Sequence, residues 1–231
     1  MVGDRRGRAP WKGSIALVAG CSIPLGGCAG ELSTLDPAGP VASEVAILFW
    51  VMFAGAMFFT FLVGAMFLVT LRRRRASAAA ARMPAPQVWT HWLGIVMPLI
   101  VLALLLLATI VIGERHFVRD YSHPKVRAYA EQWSWQFAVV DEAGNEGPLM
   151  PHLELVAGQP TIIELVSEGV IHSFWVPRLA GKMDVVPGKL NRHLIQADAP
   201  GRYLGQCAEY CGVGHDFMRF EVIVRPAGEA P

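Results

Sequence analysis

The segment Gly205–Met218, GQCAEYCGVGHDFM, gathers Cys207, Glu209, Cys211, His215 and Met218 among the glycines at 205, 212 and 214. Thiolate, imidazole and thioether are soft or borderline donors, so this crowding reads as a metal site on a chain that can fold back on itself. Three residues separate the cysteines, a spacing that on a helix would put both thiols on one face. Pro200-Gly201 and the nearby glycines instead predict a loop. A disulfide is the competing reading for paired cysteines in an exported domain. So local a bridge constrains little chain, and it would give His215 and Met218 no part. His172 lies in the apolar stretch Ile171-His172-Ser173-Phe174-Trp175. Alone, it reads as a satisfied core histidine; beside the other donors it reads as a further ligand. Two thiolates, two imidazoles and a thioether favour copper over zinc or magnesium. One cysteine suffices for a mononuclear blue-copper centre, whereas two sulfurs can bridge two coppers, each with one histidine and a weaker ligand.

The elements that position these residues follow from composition. Of 231 residues 53% are hydrophobic, with positive mean hydropathy, which predicts a membrane component. From Asp120 onward there are 9 Lys/Arg against 14 Asp/Glu, and the preceding part carries 11 against 5. Four of those 11 form the run Arg72–Arg75, directly after an apolar stretch, so the asymmetry argues for membrane topology and against nucleic-acid binding. Residues 1–28 have the layout of a secretory leader, with Arg5, Arg6, Arg8 and Lys12 before a short apolar run. Cys21 and Cys28 each end a string like a lipoprotein cleavage box, and a merely cleaved or disordered leader is the alternative. Residues 29–44 are assigned to an extracytoplasmic linker.

Residues 45–119 are read as a transmembrane helical hairpin. Val45–Leu71 is 27 residues without a charge, enough to cross about 30 Å of hydrocarbon. The second run, Leu93–Gly113, follows Trp89 and Trp92 at an interfacial position, and Pro98 predicts a kink. The basic loop between the helices belongs in the cytoplasm, which puts both ends outside. Residues 120–231 predict an all-β sandwich or small barrel, with short segments at 126–130, 134–140, 153–156, 161–166, 171–176, 191–196 and 220–224.

The segments VIHSFWVPRLAGKMDVVPG (170–188) and GQCAEYCGVGHDFM closely resemble subunit II of the haem-copper cytochrome c oxidases. The resemblance extends over the helical hairpin and the segment Gln132-Trp133-Ser134-Trp135. It implies a cupredoxin-like Greek-key domain on the periplasmic side of a bacterial plasma membrane, holding the dinuclear copper centre CuA. By position its ligands are His172, Cys207, Cys211, His215 and Met218, with the backbone carbonyl of Glu209; the Glu209 carboxylate would face Mg2+ shared with subunit I. Trp133 matches the residue that receives electrons from cytochrome c, while Trp135 is expected in the core. No catalytic residue is expected in this subunit, since the dioxygen chemistry belongs to subunit I. The implied partners are subunits I and III, cytochrome c and membrane lipid, with Glu142, Glu146 and Glu168 as candidate docking charges.

Three departures from the family pattern bear on this reading. Gly169 stands where an acidic residue is usual, Ser134 replaces a tyrosine, and His91 occupies the position of a glutamate at a proton-uptake channel. Proton uptake through His91 and an inert interfacial histidine are both open. The alternatives for the whole chain are the CuA subunit of a nitric oxide reductase and a membrane-tethered copper-binding protein. A quinol oxidase subunit II shares hairpin and fold but characteristically lacks the copper ligands.

Overall fold

The structure, a computed structural model, describes residues 29–75, 86–115 and 122–228. The leader with Cys21 and Cys28, and the inter-helical connector with Arg82, lie outside the described residues. Helix α1 spans Pro40–Arg75; α2 (Pro86–His91), a π-helical stretch (Trp92–Val96) and α3 (Met97–Arg115) make the second helical unit. Both units start earlier than the apolar runs at 45 and 93, because each opens on a proline, whose missing N–H is one of the unpaired donors of a first turn in any case. Residues 40–44 of the expected linker are therefore helical. The expected disturbance at Pro98 takes the form of the widened π stretch just before it: a proline cannot donate to the carbonyl four residues back, and the turn opens there. Both units are long and apolar enough to cross a membrane, and their large side chains, among them Phe49, Phe53, Leu99 and Leu106, stand exposed.

Nine strands form the β domain: β1 (Lys125–Glu131), β2 (Ser134–Val140), β3 (His152–Val156), β4 (Thr161–Ser167), β5 (His172–Trp175), β6 (Met183–Val185), β7 (Asn191–Ile195), β8 (Gly201–Cys207) and β9 (Arg219–Arg225). They build a sandwich of two sheets, β2-β1-β4-β7 and β3-β9-β8-β5-β6, in which β1 runs parallel to β4 and β3 to β9. The all-β, cupredoxin-like expectation holds, with two strands more than foreseen. The chain moves repeatedly from one sheet to the other, and each inner face alternates: Val126, Ala128 and Ala130 on β1, Trp135 and Phe137 on β2, Phe220, Val222 and Val224 on β9. Between the sheets Trp135, Phe137, Phe174 and Phe220 pack with ring centroids 5.0–6.5 Å apart.

β4 breaks the alternation because it lies between β1 and β7 and is covered on both faces. Ile163 and Leu165 face the core, while on the outer face Glu164 is 4% exposed. Arg127 Nη2 (2.7 Å) and Arg192 Nε (3.1 Å) donate to its two oxygens. Burial alone would raise the Glu164 pKa; the two guanidinium groups prevail and hold it below the usual carboxylate value.

The segment before α1 is not a free linker. Ala38 N–H donates to Arg178 O (2.7 Å), Ala42 N–H to Leu179 O (3.3 Å) and Asp198 N–H to Ala38 O (2.9 Å). Arg178 returns the contact, donating to the Asp36 carbonyl (2.8 Å) and pairing with its carboxylate (3.0 Å). The first helix is thereby hydrogen-bonded to the turn that follows β5.

Candidate metal centre

His172 is the first residue of β5 and Cys207 the last of β8, two antiparallel neighbours, so pairing of the main chain brings imidazole and thiol together. Cys207 Sγ lies 3.8 Å from His172 Nδ1. The loop expected around Cys207 begins only after it. Gly201–Cys207 reads as turn-rich in sequence, yet pairing with β9 and β5 makes it a strand. Residues 208–217 then leave the sheet and return, and the excursion is closed at its neck by Cys207 N–H donating to Met218 O (2.9 Å) and Ala208 N–H to Ser173 O (2.9 Å). Within it a 3-10 turn, His215–Phe217, is held by His215 N–H to Gly212 O (3.1 Å) and Phe217 N–H to Gly214 O (3.2 Å).

This path carries Cys211 Sγ to 3.9 Å from Cys207 Sγ, 3.7 Å from His215 Nδ1 and 3.8 Å from Met218 Sδ. The Glu209 carbonyl oxygen accepts from Cys207 Sγ at 3.3 Å. Both cysteines are free thiols, buried together with His172 and Met218, while His215 is half-buried. The ligand atoms of His172, Cys207 and Cys211 all lie within 4.8 Å of one another. All five side chains and the one carbonyl singled out in the sequence thus meet at one place.

The electrostatics suit a soft cation. Burial holds the His172 imidazole below its ordinary pKa, with His215 opposite adding to the effect, so it presents a neutral nitrogen lone pair. Burial, reinforced by the neighbouring Cys207, pushes the Cys211 thiol up to about 11. Two thiols so placed keep their protons unless a metal displaces them. The donor set fits copper: two sulfurs face each other, each has its own imidazole, and a thioether and a carbonyl supply the weaker donors. No position among these donors is open to a substrate, unlike a catalytic metal site.

The remaining predicted residues fall into two groups. Trp133 and Gln132 form the tip of the β1–β2 hairpin, between the paired residues Glu131 and Ser134. Trp133 is 42% exposed, and its ring covers Gly212 and Gly214, where a Cβ added at Gly214 would lie 2.5 Å from it. Trp133 Nε1 (3.4 Å) and Gln132 Nε2 (2.8 Å) both donate to the carbonyl of Cys211. Trp135 is 4% exposed, a core residue as expected, with its ring 6.3 Å from that of His172. The Glu209 carboxylate is half-exposed, 3.7 Å from Lys182 Nζ, which also pairs with Asp184 (3.0 Å).

His91 is brought nowhere near this cluster in the chain's fold; it ends α2, exposed, with its ring edge-on to Trp92 at 5.7 Å. Of the candidate docking acids, Glu142 and Glu168 are exposed, but Glu146 is engaged by Arg127 and accepts from the Tyr129 hydroxyl at 2.5 Å. Gly169 has φ +101°, a conformation that a side chain rarely adopts, so the missing acid there is matched by a turn suited to glycine. Two partners escaped the sequence reading: Gln132, legible only as the neighbour of Trp133, and Lys182, for which the sequence carries no signal.

Residues 149–225 match the family described as cytochrome C oxidase subunit II, periplasmic domain. The chain is 33% identical over 211 residues to a cytochrome c oxidase subunit 2 of Alkalihalophilus pseudofirmus, covering 86% of this chain and 60% of that protein's length. It is 29% identical to a quinol oxidase subunit 2 of Bacillus cereus, covering 93% of this chain and 76% of the relative. Among solved structures, the periplasmic domain of subunit II of the Bradyrhizobium japonicum cytochrome oxidase aligns at 25% identity with a TM-score of 0.43, over 48% of this chain and 89% of that one.

Proposed function

The chain belongs to the cytochrome c oxidase subunit II family through its periplasmic domain, and from that premise we propose that it is the CuA-bearing, electron-accepting subunit of a haem-copper terminal oxidase. The carrying observation is the pair of buried thiols 3.9 Å apart, each with its own imidazole Nδ1 within 3.8 Å. Bound there, a copper pair supplies a single delocalised redox site. The chain's residues do the rest. His172, Cys207, Cys211, His215 and Met218 would hold the pair, with the Glu209 carbonyl as a weak donor. Their burial keeps water out, and anchoring at strand ends limits how far the donors shift when charge changes, which keeps reorganisation small.

In this reading one electron arrives from a cytochrome c at the face carrying the exposed Trp133 ring, and leaves toward haem in subunit I, where dioxygen is reduced. Exposed Glu142 and Glu168 suit a basic donor, because complementary charge raises the rate of encounter. The Glu209 carboxylate, clear of the thiols, is free to join Mg2+ at the subunit I boundary, with the other ligands from that partner. The helices place the β domain on the periplasmic side of a bacterial plasma membrane, the basic connector lying in the cytoplasm. Proton uptake at His91 and lipidation at Cys21 or Cys28 complete the proposal. A quinol-oxidising role is disfavoured because the donor set, expected to be lost there, is whole and convergent.

The test is the full chain in detergent, loaded with copper. Two coppers per chain sharing one unpaired electron, with a purple spectrum, are expected; a blue one-copper spectrum or a preference for zinc overturns the reading. Met218→Leu, close in volume, should shift the midpoint potential with both coppers retained.

A further inference from the structure

The Cys211 carbonyl oxygen is an unusual acceptor. It sits on a residue whose side chain is buried in the metal centre, and among the described residues no main-chain N–H donates to it. It is served instead by two side chains from the tip of the β1–β2 hairpin, on the other sheet. The Gln132 bond is the stronger by geometry, at 2.8 Å against 3.4 Å for the indole. Gln132 is an exposed residue, and its Nε2 also lies 3.2 Å from where a Gly212 Cβ would be. A flexible polar side chain on the surface therefore spends its donor on the one loop-held cysteine.

We propose that Gln132 is a positioning residue for electron acceptance: its amide holds the Cys211 carbonyl, and through it the Cys211 thiolate, in register with the Trp133 ring. The inference rests on the copper reading above. One electron passes from a haem-protein donor to the site, with no bond made or broken and no proton moved. The positive end of the Gln132 N–H dipole offsets the carbonyl's negative end beside the centre. Without it the surroundings are more negative, the more positively charged oxidised state is favoured, and the midpoint potential falls. Loss of the bond also frees the Cys211 backbone relative to the indole, which weakens the route across the 3.4 Å contact.

The experiment uses the copper-loaded full chain in detergent, with Gln132→Met, which keeps length but not the donor, and Gln132→Glu, which can only accept when ionised. Redox titration, copper analysis and the rate of reduction by a photo-excited ruthenium complex are measured. Gln132→Met should keep both coppers, reduce more slowly, and lower the one-electron equilibrium constant about fivefold, the worth of roughly one hydrogen bond. That is a fall of about 40 mV. Gln132→Glu should lower it further. A potential and rate equal to wild type in both variants overturn the assignment and leave the copper reading standing. Loss of copper in Gln132→Met makes the residue a structural clamp and overturns it too. A wild-type chain without a copper pair overturns both.

Discussion

One half of the metal centre is held by strands and the other by a loop, and the two are secured by different means. His172, Cys207 and Met218 belong to β5, the end of β8 and the start of β9, where ladder hydrogen bonds and a buried aromatic core leave little freedom. Cys211 and His215 ride on the excursion 208–217, whose tip residues Tyr210, Val213 and Phe217 are exposed. Their precision comes from a short internal 3-10 turn and from the hairpin tip at 132–133 pressing on two glycines. The sheet half is overdetermined, since many bonds must fail before it moves. The loop half depends on few contacts, each of which a single substitution removes.

The largest effect should follow from attacking the sheet half at its ligand. Cys207→Ser removes one of the two sulfurs, and metal analysis should show the copper pair lost while circular dichroism retains the β-sheet signal. Two coppers retained would dismantle the bridging role given to this thiol. Next, Gly214→Ala puts a methyl against the Trp133 ring; thermal or denaturant unfolding should show a loss of about 2 kcal/mol, with copper affinity falling as well. An unchanged copper affinity there would mean that the loop half is not set by the hairpin tip.

A smaller effect, well apart from the centre, is expected at Glu164 on the opposite sheet. Its folded-state pKa is depressed, so its stabilisation is complete above the ordinary carboxylate range and lost as pH falls through the lowered folded value. Glu164→Gln should cost about 1–2 kcal/mol near neutral pH and flatten the acid side of the unfolding profile, leaving the copper spectrum as it was. A spectral change would show that the two sheets are not independent. The smallest effect belongs to Asp36→Ala, which removes a half-exposed partner of Arg178; its cost in stability should be under about 1 kcal/mol. Protease sensitivity of the segment before α1 should rise without change in copper content.

Much of this was legible in the chain, for reasons that differ by element. The spans showed themselves through unbroken apolar length, because hydrocarbon imposes that requirement locally. Alternation exposed seven strands. β6 and β8 escaped because three residues are too few to show a period and because Gly201 and Gly205 disguise a strand whose pairing is decided by β9 and β5. The segment 36–42 reads as linker by composition, yet Arg178, far along the chain, holds it to the sandwich.

By itself the sequence determined the donor types, their order and the side of the membrane on which they lie, since residue chemistry and apolar length are local properties. Tertiary structure alone decided that His172 meets Cys207 through pairing of β5 with β8, that Cys211 leans on Gln132 and Trp133, and that Glu146 is spent on Arg127. Such contacts depend on register and on elements distant in the chain, which residue types do not encode one at a time.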